Sequence, residues 1–166
     1  YSVLNRRDFY VENALVNRGK GRNIGVDITL ERYLNKGLYY MVTASIFDSK
    51  YYGGDRKWRN TLYNRNFIVN VLGGKEWMVG RDRQNMFSVN FKITLQGGDR
   101  YAPVDEVATL LDPDREVQYD ETKAFSKQFS PMFITNFSVG YKINRKKVSH
   151  EFSIKSLNTT GCEEYY

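Results

Sequence analysis

Apolar and polar residues alternate along long stretches of the chain. From 86 to 96, Phe87, Val89, Phe91, Ile93 and Leu95 share one parity, with Ser88, Asn90, Lys92, Thr94 and Gln96 between them. A period of 3.6 cannot separate these two sets, whereas successive side chains of a strand point to opposite faces. The same rule sets Ile24, Val26, Ile28 and Leu30 against Gly25, Asp27, Thr29 and Glu31. It returns in Leu38, Tyr40, Val42, Ala44 and Ile46, and in Phe133, Phe137, Val139, Tyr141 and Ile143. Val148, Phe152 and Ile154 mark a last strand. Phe67, Val69 and Val71 mark a less regular one, since Ile68 and Leu72 take the other parity.

The pattern predicts an all-β fold: an antiparallel meander of about six long strands, near 22–34, 38–49, 64–73, 86–97, 131–143 and 147–157. Several approach the ~9–11 residues that a tilted strand needs to cross a bilayer, where ordinary globular strands run to about 5–6. Asn35-Lys36-Gly37 reads as a tight hairpin turn, Asn144–Lys147 as a second short turn, and Gly73–Asn85 as a longer connection on the same side. The opposite side carries the long loops 48–64 and 97–129, the second with a short helix expected over Val104–Leu111, ahead of Asp112-Pro113. Short turns on one side and long loops on the other is how outer-membrane barrels are built. Aromatic residues gather near strand ends (Tyr33, Tyr39, Tyr40, Phe47, Tyr51, Tyr52, Trp77, Phe129 and Phe133), as in an interfacial girdle. The β-propensity of Tyr and Phe accounts for the same residues.

Composition bounds this picture. A chain of 166 residues suffices for one domain. Its 25 basic and 19 acidic residues are interspersed, and the densest basic clusters, Arg18-Lys20-Arg22 and Arg145-Lys146-Lys147, fall in expected turns, which favours solvated turns over a nucleic-acid surface. The single cysteine, Cys162, excludes an internal disulfide and a cysteine metal cluster. No apolar run approaches the ~18 residues of a spanning helix, a signal that β-barrels never produce. The chain opens at Tyr1 and stops at Tyr166, as expected of an internal fragment of something longer.

Candidate chemistry is sparse. His150 is the only histidine, on the apolar parity of its strand, so no nucleophile–base pair or triad can be assembled and no enzyme is expected. Asp112, Asp114, Glu116, Asp120 and Glu121 are oxygen ligands in principle, but their spacing fits no calcium loop. Gly19-Lys20-Gly21 precedes a strand where a dinucleotide loop requires a helix. No catalytic, cofactor-binding or metal residue is assigned. Tyr51, Tyr52, Trp58, Tyr101 and Tyr119, all in or beside the long loops, are candidates for stacking on a sugar or similar ligand.

Several stretches resemble the TonB-dependent outer-membrane receptors. Asn17-Arg18-Gly19-Lys20-Gly21-Arg22-Asn23-Ile24-Gly25-Val26-Asp27 is similar to that family's strand opening of the form N-x-G-x-G-R-N-x-G-hydrophobic-[DE]. Tyr63-Asn64-Arg65-Asn66-Phe67, Gly73-Gly74-Lys75-Glu76-Trp77, and Phe129-Ser130-Pro131 leading into Val139-Gly140-Tyr141-Lys142-Ile143-Asn144 are similar to it as well. The resemblance implies the C-terminal part of a 22-stranded barrel in the outer membrane of a Gram-negative bacterium, taking up a nutrient such as a glycan or metal chelate. It implies as partners the outer-membrane lipid, a plug domain, the remaining barrel strands and, through the full-length protein, the TonB system, with no cofactor and no nucleic acid. Asp27, Glu31, Asn70, Asn90, Lys92, Asn136, Lys142 and Glu151 would then face the lumen or the plug. About six strands cannot close even the smallest barrel of ~8, and the terminal aromatic strand of the family is missing after Cys162. Alternation alone fits a second architecture equally: a soluble barrel or sandwich whose apolar face encloses a small apolar ligand. A basic β-sheet that binds nucleic acid is a third.

Overall fold

The computed structural model describes residues 3–5, 16–114 and 116–163. Long antiparallel strands dominate: β1 (Lys20–Asn35), β2 (Leu38–Tyr52), β4 (Phe67–Val79), β5 (Asn85–Gln96), β8 (Met132–Asn144) and β9 (Ser149–Ser156). They pair in that order as one meander, and the short β3 (Trp58–Asn60) adds to the end of β2. Two further short strands, β6 (Arg100–Tyr101) and β7 (Lys127–Gln128), pair within the longest loop. The fold class is all-β and antiparallel. Among the described residues the sheet does not close, and β1 and β9 are its edges.

Register carries the alternation across the whole sheet. The row Val26–Ile46 begins one face, and Val42–Val71–Ile93, Gly73–Phe91–Phe137 and Trp77–Phe87–Tyr141–Phe152 continue it. The opposite face carries Thr29–Thr43–Asn70–Thr94 and Gly74–Asn90–Ser138–Lys155. These polar rows bond sideways. The Thr94 hydroxyl donates to Asn70 Oδ1 at 2.8 Å, and Asn70 Nδ2 donates to Thr43 at 3.4 Å. The Tyr39 hydroxyl donates to Asn90 Oδ1 at 2.8 Å, and Asn90 Nδ2 donates to Ser138 at 3.2 Å. Such cross-strand pairs contribute roughly 0.2–1 kcal/mol each and oppose slippage.

Turn chemistry sets where the chain reverses. Lys36 and Gly37 both have positive φ, 50° and 75°, as a two-residue type I′ hairpin demands. The Gly37 carbonyl also accepts from the Glu76 amide at 2.7 Å, so a Cβ there would meet the Glu76 carbonyl at 2.2 Å.

The expected strand at 64–73 and the connection Gly73–Asn85 need correction. β4 runs from Phe67 through both glycines to Val79, and the turn is only 80–84. Gly73 and Gly74 do not break the strand, because each leaves room for a neighbouring ring. Phe91 lies against Gly73, and the Tyr39 ring crosses over Gly74 to reach Asn90. A Cβ on Gly74 would come within 2.2 Å of Asn90 Oδ1 and 2.7 Å of the Tyr39 ring. All three turns at this end are therefore short. At the other end, the long loop contains a helix, α1 (Glu106–Leu111), two residues shorter at its start than the sequence suggests, because Asp105 is its N-cap and accepts from the Ala108 amide at 3.0 Å.

Gly74→Val is expected to lower unfolding stability by about 1–3 kcal/mol, from overpacking and loss of the Tyr39–Asn90 bond. Gly21→Val, with nothing within 4 Å of its Cβ position, is expected to be neutral. Urea midpoints of the two variants against the parent protein check this.

Candidate functional site

The long-loop end of the sheet holds the tightest packing. After β2 the chain turns through 53–57, returns as β3, and then inserts 61–66 before resuming beside β2 as β4. The insertion is an outsized bulge, and Asn64 fills it with 0 % exposure. Its Nδ2 donates to Asp48 Oδ1 at 3.1 Å and Asn60 Oδ1 at 2.9 Å. Its Oδ1 accepts from the Ser49 amide at 3.0 Å, and its carbonyl accepts from Arg100 Nε at 2.7 Å. The Asn64 side chain thus ties β2, β3 and the bulge together, and its backbone carbonyl adds the start of the longest loop. A buried amide with all its groups bonded is stabilising; the same group left unpaired costs about 1–3 kcal/mol.

On the polar face the longest loop folds back over the strand ends. Tyr51, 2 % exposed, packs with Ala124, Phe125 and Leu62, and its hydroxyl donates to Asn5 Oδ1. Asn5 Nδ2 in turn donates to the Glu121 carbonyl at 3.3 Å. Beside Tyr51, opposite it in register, Arg59 makes a two-pronged contact with Asp55 at 2.8 and 2.5 Å and donates to the Thr122 carbonyl at 3.0 Å. Its Nε is buried without a partner among the described residues. Arg65 pairs with Asp99 at 2.5 Å, holding the loop's first residues to the bulge. Gly97 and Gly98 pass so near the Arg65 and Phe129 carbonyls that a Cβ would meet them at 1.8 and 2.3 Å. The loop is therefore pinned at both its ends and near residue 122.

The five aromatic candidates separate. Tyr51 is a core residue beneath the loop, so its ring is closed to a ligand. Tyr52 and Trp58 are paired in register on the apolar-face parity, with ring centroids 5.4 Å apart, and Arg22 lies 5.5 Å from the Trp58 ring centre. Tyr101 stacks on Phe129 at 4.4 Å within the β6–β7 ribbon. Tyr119 is exposed and bridges Val104 across the neck of the α1 loop. The structure brings together Tyr52 and Trp58; Tyr101 and Tyr119 stand apart from them in the long loop. His150 lies opposite Ile143, on the apolar-face parity.

The acidic loop residues act as structural acceptors. Asp112 accepts from the Asp114 amide and from Gln118 Nε2, and Asp120 caps a short 3-10 turn through Thr122. Among the described residues, no three potential metal ligands converge. Asn64 lies within a stretch singled out for its family resemblance, but nothing local marks it as a hub. The Asp55/Arg59 spacing of four is the one sequence signal for the clamp beneath the loop. Compared with known proteins, the chain matches no family model, no curated protein and no solved structure.

Hydrogen bonds from Arg59 hold the Asp55 carboxyl well below its usual range, at about 2. Those from Thr122 and Lys123 hold Asp120 at about 2 as well. A depressed carboxylate stabilises the fold fully above its unfolded value and loses that contribution as pH falls through its folded value. The loop clamp should therefore stay closed from neutral pH to about 4 and open as pH approaches 2. With Trp77 replaced by Phe, Trp58 fluorescence reports the change. Asp55→Asn should abolish most of the acid transition and show the loosened signal already at pH 7.

Proposed function

We infer that this sheet is part of the wall of an outer-membrane β-barrel of the TonB-dependent receptor type, which takes up a nutrient such as a glycan or metal chelate. The observation that carries the reading is the apolar face. Ile24, Val26, Ile28, Leu30, Ile46, Phe91, Phe133, Phe137, Phe152 and Ile154 are all exposed on one side of a sheet a single layer thick. Water-soluble sheets bury such a face against a second layer, and contiguous apolar patches beyond a few hundred Å² mark a partner or a membrane.

Dimensions agree with lipid as that partner. From Phe133 to Ile143, β8 rises about 34 Å at about 3.4 Å per residue. At a tilt of about 40° this spans about 26 Å, against an apolar band of about 25 Å in outer-membrane barrels. The row Trp77–Phe87–Tyr141–Phe152 closes one end of the band, with Trp77 and Phe87 5.7 Å apart. Tyr52 and Trp58 lie beyond the other end, past Asp48 and Lys50 on the same face, and Tyr101 and Tyr119 are left for ligand contact. Asp27, Glu31, Asn70, Asn90, Lys92, Asn136, Lys142 and Glu151 share the opposite face and line the interior or meet a plug. Open edges cannot stand in hydrocarbon, so β1 and β9 require further strands of the same barrel.

The protein should remain in the membrane fraction through salt and alkaline washes and leave it only in detergent. Val139→Arg, at mid-band on the apolar face, should cost about 2–4 kcal/mol in bilayer unfolding, while the neighbouring Ser138→Arg should cost less than 1. Release into plain buffer as a stable monomer would contradict the reading.

A further inference from the structure

We propose that the excursion 103–120, in the middle of the longest loop, is a docking knob for a second protein, one that takes Val107, Leu110 and Leu111 into an apolar groove edged by Lys and Arg. The knob stands apart from the membrane-wall reading, because it uses no residue of the long strands. Polar bonds close the excursion. At its stem the Asp120 amide donates to the Pro103 carbonyl at 2.9 Å, and the Asp105 amide to the Gln118 carbonyl at 2.8 Å, around the Val104–Tyr119 bridge. Above the stem, the Thr109 hydroxyl donates to the Asp105 carbonyl at 2.7 Å and accepts from the Gln118 amide at 3.0 Å. Gln118 Nε2 reaches Asp112 at 2.6 Å. A helix of 6 residues is too short to hold itself in water, so these bonds fix α1, none of whose residues is buried.

The face left bare is apolar. Val107, Leu110 and Leu111 stand at i, i+3 and i+4, one stripe of the helix, with Thr109 on the side bonded to the loop body. Leu110 and Leu111, 84 % and 77 % exposed, are the most exposed leucines among the described residues. Val117 and Tyr119 add exposed apolar surface on the returning limb. Apolar surface rimmed by polar residues marks an interaction site, and this one is held ready in its binding shape.

Shape and charge choose the occupant. A helix with no buried residue projects outward and offers a small ligand no pocket. Anchors at i, i+3 and i+4 are how a helix enters the groove of another protein. Between 105 and 121 the sequence carries seven acidic residues and one basic, in a chain whose net charge is +6. Asp105 and Asp112 serve the fold and Asp120 pairs with Lys123, but Glu106, Asp114 and Glu116 are exposed around α1. That charge is repelled by an anionic lipid surface, which leaves a basic-rimmed protein as the cover. Complementary rim charges steer such a partner and fix its orientation.

The test uses the intact protein in the cells that make it, with the photoreactive probe p-benzoylphenylalanine placed at Leu110 and, as control, at Tyr63, which is also exposed at the long-loop end. Illumination should give one protein adduct from position 110 and none from 63. The captured protein, identified by mass spectrometry and purified, should bind Val107→Ser/Leu111→Ser roughly tenfold more weakly than the parent. Glu106→Gln/Asp114→Asn/Glu116→Gln should also weaken binding, and its difference from the parent should vanish above about 0.5 M salt. All five substituted residues are exposed, and an unchanged urea midpoint confirms that both variants fold. No adduct at 110, equal adducts at 110 and 63, or equal binding by the parent and both variants would overturn the docking knob. Adducts to lipid alone would overturn a protein as the occupant. Weakening by the serine pair alone would overturn the basic rim.

Discussion

A sheet one layer thick has no core of its own, so everything in this molecule depends on keeping its register. One residue of slip along any long strand would exchange the apolar row for the polar one. Three devices oppose it. The type I′ turn at Lys36-Gly37 pairs Asn35 with Leu38, an irregularity between Arg32 and Asn35 then shifts the β1–β2 register by one residue for the rest of its length, and the Gly37 carbonyl bonded to Glu76 ties the turn to β4. The lateral chains Tyr39–Asn90–Ser138 and Thr43–Asn70–Thr94 then lock β2, β4, β5 and β8 on the polar face. The paired glycines of β4 belong to the same device, since the Tyr39 bond passes over one of them.

The long-loop end solves a different problem. Loops of this length are entropically expensive to order, and here the ordering comes from polar groups with few apolar contacts. Asn64 closes the bulge, Arg65 and Arg100 fasten the chain on either side of Gly97-Gly98, and Arg59 reaches the far limb near Thr122. The small cluster of Tyr51, Ala124 and Phe125 is the only core among the described residues, and it sits on the polar face. That placement leaves the opposite face wholly uncovered, which is where the proposed contact with lipid lies.

The strands were legible because period two is a local property. All six long strands, the tight turn at 35–37 and the helix before Asp112-Pro113 follow from spacing and turn residues. The error at Gly73-Gly74 has a physical source: glycine signals either a turn or a close approach, and only the position of Phe91 and the Tyr39 ring tells them apart. The loop cluster was not legible, because its contacts join residues as far apart as Asn5 and Tyr51, or Arg59 and Thr122. The separation of the aromatic candidates was half legible. Continuing the β2 alternation past residue 49 puts Tyr51 and Tyr52 on opposite faces, one under the loop and one beside Trp58.

The central claim is that the apolar face meets lipid and the polar face does not. Single cysteines scanned along 133–143, in a protein with Cys162 replaced by Ser, carry spin labels that report this directly. In a bilayer, labels at 133, 137, 139 and 141 should be relaxed by lipid-soluble oxygen, and those at 134, 136, 138 and 140 should respond to a water-soluble reagent or to neither. Uniform access of the aqueous reagent to both sets, with no response to oxygen on the odd positions, would contradict it.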